Sequence, residues 1–199
     1  MALSALMAVA AALSPPSTGA TCSYDAATAT VQAQMLSARA VVANAGDGRI
    51  LVNGRVCGTL AQTRQIVVAS AYPPAADTVI VDERRGRLAD PVTGRRPKLF
   101  ALTGTGGDTM EVIGTPGRDR YVVRDDLGAS IDLDADGEPD FVSTEVGRIV
   151  LRGMAGDDVL SDGRSGRDRV ACGPGFDTVR AASGDTATGC ERSLPRRHP

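Results

Sequence analysis

Tryptophan is absent from the 199 residues, and phenylalanine and tyrosine contribute only three each. A wide core built on large rings is excluded, so the interior must be made from Val, Ile, Leu and Ala. Such small side chains suit thin, regularly layered structures. Histidine is nearly absent too: His198 is the only one and stands one residue from the end. That argues against a Ser-His-Asp site, a His-based zinc site and a Cys-His nucleophile, and no enzymatic activity is expected. Neither a C-x-x-C pair nor a G-x-x-x-x-G-K-[ST] loop occurs, which removes the usual zinc and nucleotide-phosphate signatures. No apolar run reaches the roughly 20 residues that a spanning helix needs, so stable membrane insertion is not expected.

What is present begins with "MALSALMAVAAALSPP", a short apolar run followed by "STGATC". Its length and the small residues Thr18 and Ala20 predict a signal peptide over residues 1–20, although no Lys or Arg precedes the run. Cys22, Cys57, Cys172 and Cys190 form an even set, which fits disulfides in a secreted or cell-surface protein and leaves three pairings open. Net charge is −2 but uneven. Residues 1–99 carry ten basic and six acidic residues, for +4, whereas residues 100–189 carry nine and seventeen, for −8. An Asp-rich half suits a hard cation and repels a phosphate backbone, so nucleic acid is not an expected partner.

In the N-terminal half, "TATVQAQM", "RILVNGRV", "RQIVVASA" and "DTVIVDE" are β-branched runs separated by Gly, Asn, Asp or Pro, and predict strands. "ERRGRLADPVTGRRPK", residues 83–98, is basic and turn-rich and reads as a solvated loop bulging from the structure. The tail after residue 191 is expected to be disordered.

The acidic half is repetitive. "GTPGRDRYV" from Gly114, "GMAGDDVLS" from Gly153, "GRSGRDRVA" from Gly163 and "CGPGFDTVR" from Cys172 share one pattern, G/C-x-x-G-x-D-x-apolar-x. "TGTGGDTME" from Thr103 shares its ending. The repeat aspartates are Asp108, Asp119, Asp158, Asp168 and Asp177. Glycine permits the tight turn, and the x-apolar-x segment is a short strand with one side chain inward. Met110, Tyr121, Leu160, Val170 and Val179 are the predicted inward set. Two nonapeptides make a coil of about 18 residues, so the expected fold is an all-β, right-handed parallel β-solenoid of the β-roll or β-helix kind. The predicted organisation is residues 21–99 as coils without the Asp signature and residues 100–191 as the repeat unit. Cys172 and Cys190 are 18 residues apart, one coil, and a coil spacing of about 4.8 Å lies within disulfide reach. The pairing Cys172–Cys190 follows, with Cys22–Cys57 left by elimination.

These motifs resemble RTX (hemolysin-type) calcium-binding repeats, in the degenerate form found in secreted proteins of high-GC bacteria. "ILVNGRVCG" and "CGPGFDTVRAASGDTATGCE" are similar to opening and closing segments of such proteins. "LDADGEPDFVSTEVGRIVLRGMAGDDVL" is similar to their middle coils. The resemblance implies calcium, held by the repeat carboxylates Asp108, Asp119, Asp158, Asp168 and Asp177 together with turn carbonyls. The same aspartates would equally serve as caps on turn amides without any metal. A second cluster, Asp132, Asp134, Asp136 and Asp140 with Gly137, has the D-x-D-x-D-G opening of a calcium loop, but Ser143 stands where an EF-hand has its bidentate Glu. It is either a calcium loop of another kind or a rung with solvated acids. The implied role is structural or adhesive, outside the cell, with cell-surface or matrix polymers as partners. The alternative is a small β-helix lyase or hydrolase acting on acidic polysaccharide.

Overall fold

A computed structural model describes residues 19–71, 76–125, 128–144, 146–163 and 167–194. The predicted signal peptide therefore lies outside the described residues except for its last two positions, and so do the last five residues of the tail. The described residues form strands and no helix. In chain order they are β1 (Ala20–Asp25), β2 (Thr30–Met35), β3 (Arg39–Asn44), β4 (Arg49–Val52), β5 (Arg55–Thr59) and β6 (Gln65–Ser70). Next come β7 (Thr78–Asp82), β8 (Lys98–Leu102), β9 (Asp108–Ile113), β10 (Arg120–Arg124), β11 (Ala129–Asp132) and β12 (Phe141–Ser143). The last are β13 (Val146–Arg152), β14 (Val159–Asp162), β15 (Arg169–Ala171), β16 (Thr178–Arg180), β17 (Thr186–Thr188) and β18 (Arg192–Ser193).

The fold is all-β, as expected, but both sheets are mixed rather than wholly parallel. One sheet runs β1-β2-β6-β8-β12-β11-β10-β14-β16-β18 and the other β17-β15-β13-β9-β7-β3-β4-β5. From β6 to β10, and again from β12 to β18, successive strands alternate between the sheets. Neighbours reached by that alternation pair in parallel, as in β7–β9 and β14–β16. The antiparallel exceptions are β1–β2, the β3–β4–β5 meander and the β10–β11–β12 excursion. The run "RILVNGRV" is thus a hairpin and not one strand. Asn53 and Gly54 take φ of 48° and 81°, the pair of left-handed residues that a two-residue hairpin turn requires.

Alternation with period two sends one side chain of each x-apolar-x segment between the sheets. Met110, Tyr121, Leu160, Val170 and Val179 are all buried, at 1 % exposure or less. They split into two ladders: Tyr121, Leu160 and Val179 are in register in one sheet. Met110 pairs with Ile149, and Val170 with Leu151, in the other. β8 pairs with both β6 and β12, so the hydrogen-bonded ladder is continuous across residues 99 and 100.

Segment 83–98 departs from the expected solvated loop. Glu83, Leu88, Asp90 and Arg96 are buried. Glu83 Oε1 accepts hydrogen bonds from Arg96 Nη1 at 2.6 Å and from the Leu88 amide at 2.6 Å, and its Oε2 accepts one from the Tyr121 hydroxyl at 3.2 Å. Arg95 donates to the carbonyls of Thr63 and Ala61, and Arg87 to that of Arg118. Arginines that looked like solvent-facing charge therefore close the segment onto the sheets.

Each end of the two-sheet stack carries a disulfide. Cys22–Cys57 joins β1 to β5, the end strands of the two sheets. Cys172–Cys190, with Cα atoms 5.2 Å apart, joins the turn after β15 to the turn before β18. Two disulfides fit an extracellular or otherwise oxidising compartment.

Candidate metal centre

The repeat turns stack as two rows. The copies beginning at Gly114, Gly153 and Cys172 lie above one another: the Gly114 amide donates to the Arg152 carbonyl, and the Gly153 amide to that of Ala171. Asp108 and Asp168, from the copies at Thr103 and Gly163, stand instead at the start of β9 and just before β15, in the other sheet. Glycine is required at two of these positions for different reasons. A Cβ on Gly153 would strike the Asp158 carboxylate and the Cys172 carbonyl, whereas Gly156 combines a φ of 120° with backbone contact against Gly117.

All five repeat aspartates are buried, at 2 % exposure or less. In the first row they form a ladder of side chain to backbone bonds. The Asp119 amide donates to Asp158 Oδ1 at 2.8 Å, the Asp158 amide to Asp177 Oδ1 at 2.8 Å, and the Asp177 amide to Glu191 Oε2 at 2.7 Å. The second row does likewise: Asp77 donates to Asp108 Oδ1 at 2.8 Å, Ile149 to Asp168 Oδ1 at 2.7 Å, and Asp168 to Asp185 Oδ1 at 3.1 Å. Asp119 is further occupied, its Oδ2 accepting from the Thr115 amide at 2.7 Å. In Asp77, Asp108, Asp158 and Asp177 the second oxygen is buried and accepts no hydrogen bond among the described residues.

Burial, followed by the facing charges of Asp119, Asp177 and Asp157, raises the Asp158 carboxyl to about 7 despite the bond from the Asp119 amide. Asp119 is also raised by burial, against the opposing bonds from Thr115.

Among the described residues, carboxylates converge in two places. Asp162, Asp168 and Asp185 each offer an oxygen within 4.8 Å of the others, with Asp162 and Asp168 buried and Asp185 half-buried. Asp132, Asp134 and Asp136 meet the same limit, with only Asp132 buried. Both clusters could hold a metal ion. Of the five repeat aspartates, Asp168 alone enters such a cluster. Two of its partners were not singled out from the sequence. Asp185 stands 17 residues after Asp168 and opens the next rung, but its glycine, Gly184, immediately precedes it and so breaks the G-x-D pattern. Asp162 occupies the inward position that Val123 holds on the paired strand, so no turn motif marks it. Arg169, adjacent to Asp168 in sequence, is exposed, because strand alternation sends it to the outer face.

The second cluster is partly neutralised. Asp132 accepts from the amides of Ala135 at 2.6 Å and Gly137 at 3.0 Å, and from Arg124 at 3.1 Å. Asp134 lies 3.5 Å from Arg96. Asp140 stands apart from the cluster: it caps the Leu133 amide at 3.0 Å, and burial raises its carboxyl to about 6. The chain has no match among protein-family models, curated proteins or solved structures.

Proposed function

We propose that this chain is a secreted, RTX-like calcium-binding repeat protein. In this view its C-terminal half is a right-handed parallel β-solenoid, and its role is structural or adhesive at the cell surface. The observation that carries the calcium assignment is the convergence of Asp162, Asp168 and Asp185. Asp168 accepts the Ile149 amide and Asp185 the amides of Asp168 and Ala182, and a hard cation shared by the three carboxylates would screen them from one another. An all-oxygen, acidic donor set suits a hard divalent ion rather than a soft metal. Asp132, Asp134 and Asp136 would form a weaker, more exposed site, since Arg124 already shares Asp132.

Support for the solenoid comes from register offsets near one 18-residue coil. They are 19 for β13–β15 and for β14–β16, 17 for β15–β17, and a shorter 14 for the terminal β16–β18. The remaining repeat aspartates then act chiefly as rung braces, capping amides of the preceding coil. At millimolar calcium and a Kd of about 10⁻⁴–10⁻³ M, each occupied site adds about 0.4–1.4 kcal/mol to stability.

Calorimetric titration with calcium, paired with melting curves in calcium and in chelator, tests this. Heat of binding and a higher Tm are expected, with Asp168→Asn and Asp185→Asn each removing most of the effect. No heat and an unchanged Tm would defeat the calcium assignment and leave the strand architecture standing.

A further inference from the structure

The acids of residues 100–189 are largely spent on turns, and the outer face of the last strands has the opposite sign. Parallel register places Val150, Arg169 and Thr186 in one outward row and Arg152, Ala171 and Thr188 in the next. Arg148, Arg152, Arg169, Thr186 and Thr188 are exposed. Arg152, Arg169 and both threonines line a depression of about 350 Å³ left by small Ala171 and half-buried Val150, and Arg148 lies beyond it, two residues before Val150 on β13. Arg152 is paired with Glu111 at 2.6 Å. Arg148 and Arg169 make no side-chain hydrogen bond or ion pair among the described residues.

We propose that this outer face, centred on Arg148, Arg169, Thr186 and Thr188, binds acidic polysaccharide, its guanidinium groups pairing with uronate carboxylates. The proposal rests on the extracellular adhesive role given above and names its partner. A guanidinium fork matches a carboxylate in two parallel bonds, and threonine hydroxyls both donate to and accept from sugar hydroxyls. Outward positions recur at about 4.8 Å across strands and about 6.6 Å along them, a spacing of donors that fits an extended polymer better than a small enclosed ligand. The face ends at β17, the last strand of its sheet, so a long chain can lie across it without obstruction from a further strand. Nucleic acid is disfavoured because the face has no aromatic ring for base stacking.

The test is affinity electrophoresis of the intact protein in gels containing polygalacturonate, dextran, polyglutamate or duplex DNA, run in chelator and in calcium. Retardation by polygalacturonate in chelator is expected. Arg148→Gln with Arg169→Gln should weaken it about tenfold or more, Thr186→Val with Thr188→Val less, with Tm unchanged for both pairs. Arg120→Gln with Arg192→Gln, on the other sheet, removes the same charge and should have little effect. Equal loss from that control pair would reduce the binding to general charge and overturn the proposal. Retardation by DNA or polyglutamate as strong as by polygalacturonate would overturn it as well, as would none by polygalacturonate. If retardation requires calcium and ignores Arg148 and Arg169, this face is excluded while the calcium assignment survives. Arginine-dependent retardation without any calcium heat would separate the two in the opposite sense.

Discussion

Asp158 concentrates the electrostatic cost of stacking carboxylates. Its folded pKa of about 7 stands above the ordinary carboxylate value near 4, so the folded chain holds a proton that the unfolded chain has released. Stability from this group is complete below about pH 4 and is lost as pH rises through 7. Asp140, raised to about 6, acts in the same direction. In chelator, Tm is therefore expected to fall as pH is raised from 5 to 8. Asp158→Asn should flatten that slope and match or exceed the parent at pH 8. Circular dichroism or calorimetry is the suitable readout, since no tryptophan is present to report by fluorescence. A Tm that climbs with pH across this range would contradict the assignment. These aspartates were legible in the sequence because a turn motif surrounds each one. Asp162 was not, since its position becomes meaningful only when β10 and β14 are laid side by side.

Among the elements, segment 83–98 is where local composition misled. Five arginines, a lysine and several turn residues read as a solvated loop, yet Arg96 is buried against Glu83, which also accepts a hydrogen bond from Tyr121. That arrangement depends on Tyr121, 38 residues beyond Glu83 and outside the segment, as well as on Arg96 within it. The β10–β11–β12 excursion and the β3–β4–β5 meander were hidden for a related reason: they interrupt the repeat period without announcing where the chain rejoins it. Removing one partner of a buried ion pair leaves the other charge uncompensated, so Arg96→Met should cost about 3–5 kcal/mol. Adding Glu83→Leu to it should recover much of the loss. Denaturant unfolding of both variants measures this, and a single-variant loss below about 1 kcal/mol would show that the pair is not holding the segment.

For the whole molecule, the two disulfides sit where the sheets run out of neighbours. Cys172–Cys190 closes 18 residues and Cys22–Cys57 closes 35, spans for which chain entropy gives about 3 and about 4 kcal/mol. Cys172→Ser with Cys190→Ser is expected to lower Tm and to raise amide exchange in β16, β17 and β18 while β7 and β9 stay protected. Uniform loss of protection across the chain would instead mean that the stack melts as a single unit. The spacing of the C-terminal pair was readable because it equals the coil length that the repeat predicts, whereas β1 and β5 as common end strands had no counterpart in the sequence pattern.

The carboxylate ladder also has a direction. In every bond of it the amide belongs to the earlier rung and the carboxylate to the later one, from Asp77 and Asp108 through to Asp177 and Glu191. Losing the last rung would leave amides for water to cap, and losing the first would leave carboxylates for water to serve, so the two ends of the ladder present opposite groups. Each rung of the acidic half is thus capped by a residue that follows it in the chain. In a chain that emerges N-terminus first, each rung therefore waits for the next one before its amide is capped.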